Sequence, residues 1–471
     1  MKTHHRILKN LLSLSAAEAV RKGVAFFTYA ILARVLNPVG FGDFTWAMTF
    51  VMYFLLFVDM GFNIIGIREI ARDHSIIKKY VNHIITIRTI ISIFSFLIML
   101  LIAFVIDRPL DVKIMVIISG INLFANALLV DWVFQGIEKM EVIALRQIIV
   151  GVMNLIGVIV FVNSPDDKIA AMLVFMLSLL LNSFWLLGYY IKTYGMVKFS
   201  YNKELWKKLF EAAIPMGVSN LFIVVITGTS IILLGLMTNK GETGLFAAAH
   251  KIFMISLLPI TIIQGTMFPI ISRAKTLEDK QTLLNKYTTF VYFIGGIICF
   301  SILAYSNEVI FIVFGPMYDS SSVILQVLMI NSLLIHFNNS YSTPLIAWNH
   351  EKEVLKVTIV GAAINVAMNL YLIPIYGAYG SAWANFAGEI SITLFLSYIA
   401  YKKIKKVYVF NYIRFILICG FAIFGGWLLY YYLDIHFLVT VIISIVIIIS
   451  IVFGGGIIRV KELRNYLIKT N

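Results

Sequence analysis

Long apolar runs, separated by short polar clusters, follow one another from Leu11 to Val460. Runs of this kind match the ~20 residues that a helix needs to cross the hydrocarbon core of a bilayer. The pattern predicts about fourteen membrane-spanning helices. Their approximate limits are 11–35, 43–66, 83–106, 113–136, 143–163, 168–191, 211–237, 245–272, 287–306, 320–346, 356–376, 380–401, 411–432 and 436–458. The fold class expected is an all-α integral membrane protein.

Composition rules out the alternative of one large soluble core. Hydrophobic residues make up 60% of the chain and charged residues 13%, and the mean hydropathy is +0.92. Lys2, His4, His5, Arg6 and Lys9 lead directly into the first run with no small-residue cleavage site, so the first helix is expected to remain in the mature protein. Cys299 and Cys419 each sit inside an apolar run, where a thiol behaves as a small hydrophobe. Neither a disulfide framework nor a metal site is implied.

The net charge of +14 does not point to nucleic acid, because the positive residues are strung between the runs. With a cytoplasmic N-terminus, the loops on that side hold Arg68, Arg72, Lys78 and Lys79, then Lys192, Lys198, Lys203, Lys207 and Lys208, then Arg273, Lys275, Lys280 and Lys286. The run Lys402, Lys403, Lys405 and Lys406 and the tail Arg459, Lys461, Arg464 and Lys469 fall on the same side. Opposite loops carry little beyond Arg34, Arg108, Lys113, Lys168 and Lys240, so the positive-inside rule places both termini in the cytoplasm. Orientation and attraction to anionic lipid explain these loop charges more simply than a dedicated partner site.

The two halves of the chain match. Gly42-Asp-Phe-Thr-Trp-Ala47 opens the second run and Gly244-Leu-Phe-Ala-Ala-Ala249 the eighth. Glu138-Lys-Met-Glu-Val142 leads into Ile149-Val-Gly151, and Glu351-Lys-Glu-Val354 into Ile359-Val-Gly361. The offset is about two hundred residues, or about six spans, which implies parallel repeats about an axis along the membrane normal. The expected division is an N-terminal six-helix lobe at 1–195, a C-terminal six-helix lobe at 196–405, and two additional helices with a cytoplasmic tail at 406–471. Pro215, Pro259, Pro269, Pro344 and Pro374 lie in or at the ends of helices of the second half, where they permit kinks.

Charges inside apolar runs are the candidate site residues, because an ionisable group near the bilayer centre costs ~3 kcal/mol or more on insertion scales. In the first run Glu18, Arg21 and Lys22 stand three and four residues apart on one face. Glu18 can neutralise one cation and leave the other available, so a self-satisfied pair and a phosphate-binding cation both stay open. Lys251 lies about six residues inside the eighth run, deep enough to face a cavity and shallow enough to snorkel. Asp59, Arg88 and Asp131 lie at similar depth, and a structural ion pair among them is the leading interpretation over direct ligand contact. Glu389 has no obvious partner, which suits a proton carrier and equally an inert protonated side chain. Asn331, His336, Asn338 and Asn339 in the tenth run, with Asn365 and Asn369 in the eleventh, suit interhelical hydrogen bonds or a sugar-lined path.

Several motifs carry a family resemblance. Ala33-Arg-Val-Leu-Asn-Pro-Val-Gly-Phe-Gly42 resembles the first-loop signature of Wzx-type polysaccharide flippases of the multidrug/oligosaccharidyl-lipid/polysaccharide exporter superfamily. Asp59-Met-Gly61 and Asp131-Trp-Val-Phe-Gln-Gly-Ile-Glu-Lys-Met140 are similar to the family's elements at the ends of the second and fourth helices. The likeness continues through Gly244-Leu-Phe-Ala-Ala-Ala-His-Lys251, Phe268-Pro269, Phe314-Gly-Pro-Met-Tyr318 and Pro374-Ile-Tyr-Gly-Ala-Tyr-Gly380 to Trp383 and Glu389, so it spans nearly the whole chain. One departure is Asn37-Pro38, where the family more often has Gly before Pro.

The resemblance implies a MATE-like fold of two six-helix lobes plus two C-terminal helices in the bacterial inner membrane. The implied function is a flippase, not an enzyme, that moves undecaprenyl-diphosphate-linked oligosaccharide units of O-antigen or a similar polymer to the periplasmic leaflet by alternating access. Arg21, Lys22, Lys251 and Arg88 would face the diphosphate or its cavity, since a diphosphate in a low-dielectric core needs compensating positive charge. Glu18, Asp59, Asp131 and Glu389 are the coupling candidates, with H+ or Na+ as the ion. Membrane lipid and other polysaccharide assembly proteins are the further partners expected, with no cofactor, metal or nucleic acid. The rival reading is a cation-coupled multidrug exporter of the MATE type, whose cavity should be acidic and apolar rather than cationic. A polymerase or ligase fits less well, because the longest outer loop, near Asn307 to Ser320, is short and no P-loop, metal motif or nucleophile elbow occurs.

Overall fold

In a chain this apolar, helices let the backbone groups pair within each segment. The computed structural model describes residues 2–238 and 241–454, with side chains from Lys22 onward except at 219, 222, 223 and 226. Among the described residues the secondary structure is helical, with no strand. The helices in order are α1 (Lys2–Asp59), α2 (Phe62–Arg72), α3 (Ile77–Val105), α4 (Leu110–Ser119), α5 (Ile121–Leu128), α6 (Asp131–Gly136), α7 (Met140–Phe161), α8 (Lys168–Tyr194) and α9 (Lys203–Met237). They continue as α10 (Glu242–Ser256), α11 (Leu258–Ile271), α12 (Leu277–Ala304), α13 (Ser306–Phe314), α14 (Ser321–Ala347), α15 (Glu351–Ile404), α16 (Val409–Leu433) and α17 (Phe437–Gly454).

Eleven helical stretches among the described residues are long and apolar enough to cross a membrane. Two of these, Lys22–Arg72 in α1 and α2 and Glu351–Ile404 in α15, are 51 and 54 residues long. At ~1.5 Å per residue either would be more than twice as long as a hydrocarbon core is thick. Each is two spans joined at one non-helical residue, Asn37 (φ 55°, ψ 175°) and Gly377 (φ 55°, ψ −134°). With α9 as a further span, the count is the fourteen expected from the sequence. The predicted loops at 36–42 and 377–379 are thus reduced to single-residue kinks. At Asn37 the side-chain oxygen accepts from the Val39 and Gly40 amides at 3.0 and 3.3 Å and caps the segment that follows.

Helix α3 has the polarity of a lipid-solvated element. Its buried positions include His83, Thr86, Arg88, Ser92 and Ser95, while Ile90, Ile93, Phe94, Leu97, Ile98 and Leu101 are exposed. In water this arrangement would be inverted.

Two compact units are present, meeting in sequence between Ala247 and Ala248. In the first, α1 packs along α7 and α9. The Trp46 indole donates to the Ile232 carbonyl at 3.2 Å, and the Tyr53 and Thr229 hydroxyls lie 3.3 Å apart. At one end of this seam Gly42 meets Gly244, where a Cβ on Gly244 would fall 1.8 Å from the Pro38 carbonyl oxygen, so only glycine fits. The segment 195–202, between α8 and α9, has no regular secondary structure and is held by α3. Asn82 Oδ1 accepts from the Lys198 amide at 2.9 Å and Thr86 Oγ1 from the Ser200 amide at 3.1 Å.

In the second unit α12, α14, α15, α16 and α17 pack around an aromatic core of Tyr292, Phe337, Tyr341, Tyr412 and Phe415. The chain that leaves α15 is again held by the first turns of a span. Gln281 of α12 donates to the Ile404 carbonyl at 2.9 Å and accepts from the Tyr408 hydroxyl at 2.8 Å. Tyr341 of α14 accepts from the Tyr408 amide at 2.7 Å. Cys299 and Cys419 are buried and unbridged.

Three spans differ from their expected continuous form. The fourth is divided into α4, α5 and α6, where Gly120 presses against Phe96 and Met99 and the chain opens again at Leu129 and Val130. The second ends at Asp59, because Met60 and Gly61 have positive φ, and restarts as α2. The eighth is divided at Leu257 just before Pro259, which occupies the first turn of α11. The other helix prolines act less uniformly: α9 continues through Pro215, Pro269 and Pro344 lie in last turns, and Pro374 precedes the Gly377 kink by three residues.

The conformation of Asn37 belongs to a region adopted almost only by glycine. Asn37→Ala loses the cap and keeps the strain, so it is expected to destabilise the first unit by about 1–3 kcal/mol. Asn37→Gly relieves the strain and should melt within a few degrees of wild type; thermal unfolding of both variants in the same detergent distinguishes them.

Candidate functional site

The embedded charges form separate sets. Arg88, 1% exposed, lies at the centre of one of them. Its guanidinium donates to Asp59 at 3.0 Å, to Asn63 at 3.1 Å, and to the Val58 and Leu129 carbonyls at 3.3 and 3.4 Å. These partners come from the end of α1, the start of α2 and the break between α5 and α6. Each of these is a place where a helix has ended and left carbonyls without intrahelical donors. Arg88 therefore joins three interrupted helices to α3.

Asp131 does not join that pair. Its carboxylate bonds Arg146 of α7 at 2.6 Å, and Arg146 in turn exchanges hydrogen bonds with Asn182 of α8, donating at 3.5 Å and accepting through its backbone carbonyl at 3.2 Å. Arg146 was not singled out in the sequence, although the rule that identified Arg88 applies to it, since it stands just inside the fifth apolar run. A third set lies about 24 Å along α1 from Asp59, at ~1.5 Å per residue. There Asp43 binds Lys168 at 2.8 Å and Arg108 at 3.7 Å, Lys168 also pairs with Asp111, and the Arg108 guanidinium lies 4.8 Å from the Trp46 ring centre. Burial lowers the Arg108 guanidinium from its ordinary value, and Asp43 and Asp111 oppose that shift. Sequence reading treated Arg108 and Lys168 only as loop charges that report topology.

Lys22 is half-buried in the first span, and the side chains of Glu18 and Arg21 lie outside the described residues. Lys251, also half-buried, sits in α10 between the buried residues Ala249 and Ile252. In the second unit Glu389 accepts from the Asn338 amide at 2.6 Å, and the buried Asn338 Oδ1 has no partner among the described residues. A run of amides ties the two halves of α15 across the Gly377 kink. Asn365 donates to Asn385 at 2.6 Å, Asn369 to Asn365 at 3.0 Å, and Ser381 to Asn369 at 2.7 Å. His336 bonds the Ser332 carbonyl at 2.7 Å, and Asn339 lies 3.2 Å from the Thr343 hydroxyl. Among the described residues no cluster of three or more His, Cys, Asp or Glu could hold a metal ion.

A family model described as Polysaccharide biosynthesis protein matches residues 7–275, more than half of the chain. The chain belongs to this polysaccharide biosynthesis family. Similar curated proteins carry the name "Putative O-antigen transporter". That of Escherichia coli (strain K12) is 22% identical over 408 residues, covering 84% of this chain and 97% of its own length. That of Shigella dysenteriae is 25% identical over 403 residues, covering 82% and 98%. Among solved structures, one described as lipid II flippase MurJ in an inward closed conformation superposes with a TM-score of 0.76 at 15% identity, covering 95% of this chain and all of that one. An inward-facing MATE-family multidrug transporter of the MOP superfamily superposes at 0.66 with 13% identity, covering 82% and 94%. The family member thus has the MATE-like fold of two six-helix lobes with two further helices.

Removing one partner of a buried pair leaves an uncompensated charge, so Arg146→Gln is expected to destabilise by roughly 3–5 kcal/mol. The double change Asp131→Asn with Arg146→Gln should lose less than Arg146→Gln alone. Thermal unfolding of the single and double variants closes the cycle.

Proposed function

We propose that this protein is a flippase that carries undecaprenyl-diphosphate-linked oligosaccharide units, of O-antigen or a similar surface polymer, from the cytoplasmic to the periplasmic leaflet by alternating access. In this reading it performs no covalent chemistry, resides in the bacterial inner membrane with both termini in the cytoplasm, and rocks as lobes 1–195 and 196–405 with 406–471 attached. The observation that carries the reading is the disposition of embedded charge. Asp43, Asp59 and Asp131 of the first unit are each held by an arginine or lysine, and two further cations, Lys22 and Lys251, are half-buried in apolar helices. A multidrug exporter calls for an acidic wall, and the passage of a diphosphate calls for cations. The name shared by the two O-antigen transporter relatives supports the same substrate class.

In this reading the embedded charges take different roles. Lys251, Lys22 and Arg21 supply positive charge to the diphosphate, while Arg88, with four partners of its own, holds the first unit together. Glu389 is the coupling carboxylate of choice for H+ or Na+, ahead of Asp59 and Asp131, whose charges already serve arginines, and of Glu18. Other polysaccharide assembly proteins are the expected neighbours.

In a strain lacking its own O-antigen flippase and supplied with a matched glycan, the wild-type chain is expected to restore surface polymer. Lys251→Ala should lower it by about tenfold or more, and Lys251→Arg, which keeps the charge, should retain most of it. Failure of wild type at matched membrane levels would favour the drug exporter. Full activity of Lys251→Ala would remove the lysine from the path.

A further inference from the structure

The segment 195–202 has a composition unusual for a connection between helices. Met196, Phe199 and Tyr201 are 67%, 75% and 71% exposed, yet the backbone that carries them is fixed. Val197 packs into the core of the first unit, and the Lys198 and Ser200 amides are bound by Asn82 and Thr86. Beyond it Trp206 donates to His83 Nδ1 at 3.1 Å, Tyr201 packs edge-on against the Trp206 ring, and Asn202 caps α9. Four side chains of α3 and α9, Asn82, His83, Thr86 and Trp206, thus hold the segment with three large apolar groups outward. A segment solvated by water alone gains nothing from such ordering.

Charge completes the pattern. Lys192, Lys198 and Lys203 are exposed on the segment and its flanks, and Lys78 of α3 reaches beside Gly195. Lys79, Lys207 and Lys208 are exposed around them. The acidic groups close by are fewer: Glu204, Glu211 within 3.9 Å of Lys207, and Glu69, which is engaged by Arg68 and Arg72. Apolar and aromatic residues alternating with lysines at the ends of two spans are what the boundary between acyl chains and anionic headgroups accommodates.

We propose that residues 195–203, with the first turns of α3, form an interfacial anchor that binds the anionic phospholipid surface. Met196, Phe199 and Tyr201 lie below the phosphates, and Lys78, Lys192, Lys198 and Lys203 lie among them. The proposal rests on α8 and α9 being spans and is independent of what the protein transports.

The buried Cys299 and Cys419 allow a nitroxide to be placed selectively at Met196→Cys or Phe199→Cys in the full-length protein. Depth is then read by power saturation in nanodiscs of phosphatidylcholine alone or with an equal part of phosphatidylglycerol. Nanodiscs expose both faces, so the result does not depend on orientation or on flipping. The ratio of oxygen to aqueous nickel-chelate accessibility is expected to rise severalfold with phosphatidylglycerol, and the combined change Lys192→Gln, Lys198→Gln and Lys203→Gln should abolish that rise. A label at Phe94→Cys, on the lipid face of α3, should read as membrane-embedded in every sample and reports that the fold is intact. Labels at 196 and 199 that stay aqueous in both lipids, that sit at equal depth in both, or that keep their phosphatidylglycerol response without the lysines, overturn the proposal.

Discussion

A guanidinium in a hydrocarbon environment must bring its solvation with it, and Arg88 shows how much of a fold one such requirement organises. Its insertion alone costs ~3 kcal/mol on translocon scales. That cost is offset only by acceptors, and in a membrane protein free backbone acceptors exist only where helices stop. The ends of α1 and α5 provide them, along with Asp59 and Asn63. The broken second and fourth spans and the buried arginine are thus one arrangement. Close packing supplies the rest, since Gly66 lies beneath the Trp132 ring with no space for a side chain, drawing α2 onto α6.

The same reasoning explains what could be read from the sequence. Span number was legible because hydrocarbon thickness sets a length, whereas the connections at Asn37 and Gly377, expected as loops, are single-residue kinks. Arg88 with Asp59 was legible as a pair because charges in apolar runs are so few. What was hidden is the geometry of choice among partners. Asp131 turns to Arg146 rather than to Arg88, and nothing in the order of residues ranks one arginine 15 positions ahead against another 43 behind. Lys168 and Arg108 were hidden differently. A loop cation looks like a topology signal in sequence, whereas the fold brings two carboxylates from separate helices onto Lys168.

The amides of the second unit illustrate a further limit. Asn338, Asn365 and Asn369 suit a sugar path or interhelical bonds equally as letters, and the contacts separate them. Asn365 and Asn369 are engaged by Asn385 and Ser381 across the α15 kink, which assigns them to holding that kink. Asn338 keeps a buried oxygen with no partner among the described residues beside Glu389, so that pair retains the capacity to rearrange. An amide that donates to a carboxylate can, by rotating, accept from a carboxylic acid.

One local arrangement recurs in the two halves of the chain where residue matching does not find it. The chain that leaves α8 is bound by the opening turns of α3 through Asn82 and Thr86, and the chain that leaves α15 by the opening turns of α12 through Gln281. The polarity of the bonds is partly reversed: α3 side chains accept from the linker's amides, whereas Gln281 donates to a linker carbonyl and its own carbonyl accepts from a linker side chain. Sequence comparison of the halves therefore sees no common letter at this point, although the same two elements meet. The mechanical consequence is shared. Each tie fixes the exit of one span to a helix that precedes it in the chain, so the connector is ordered with the bundle that it leaves. What the two halves conserve between them is thus a place of attachment, with the chemistry of the attachment left free.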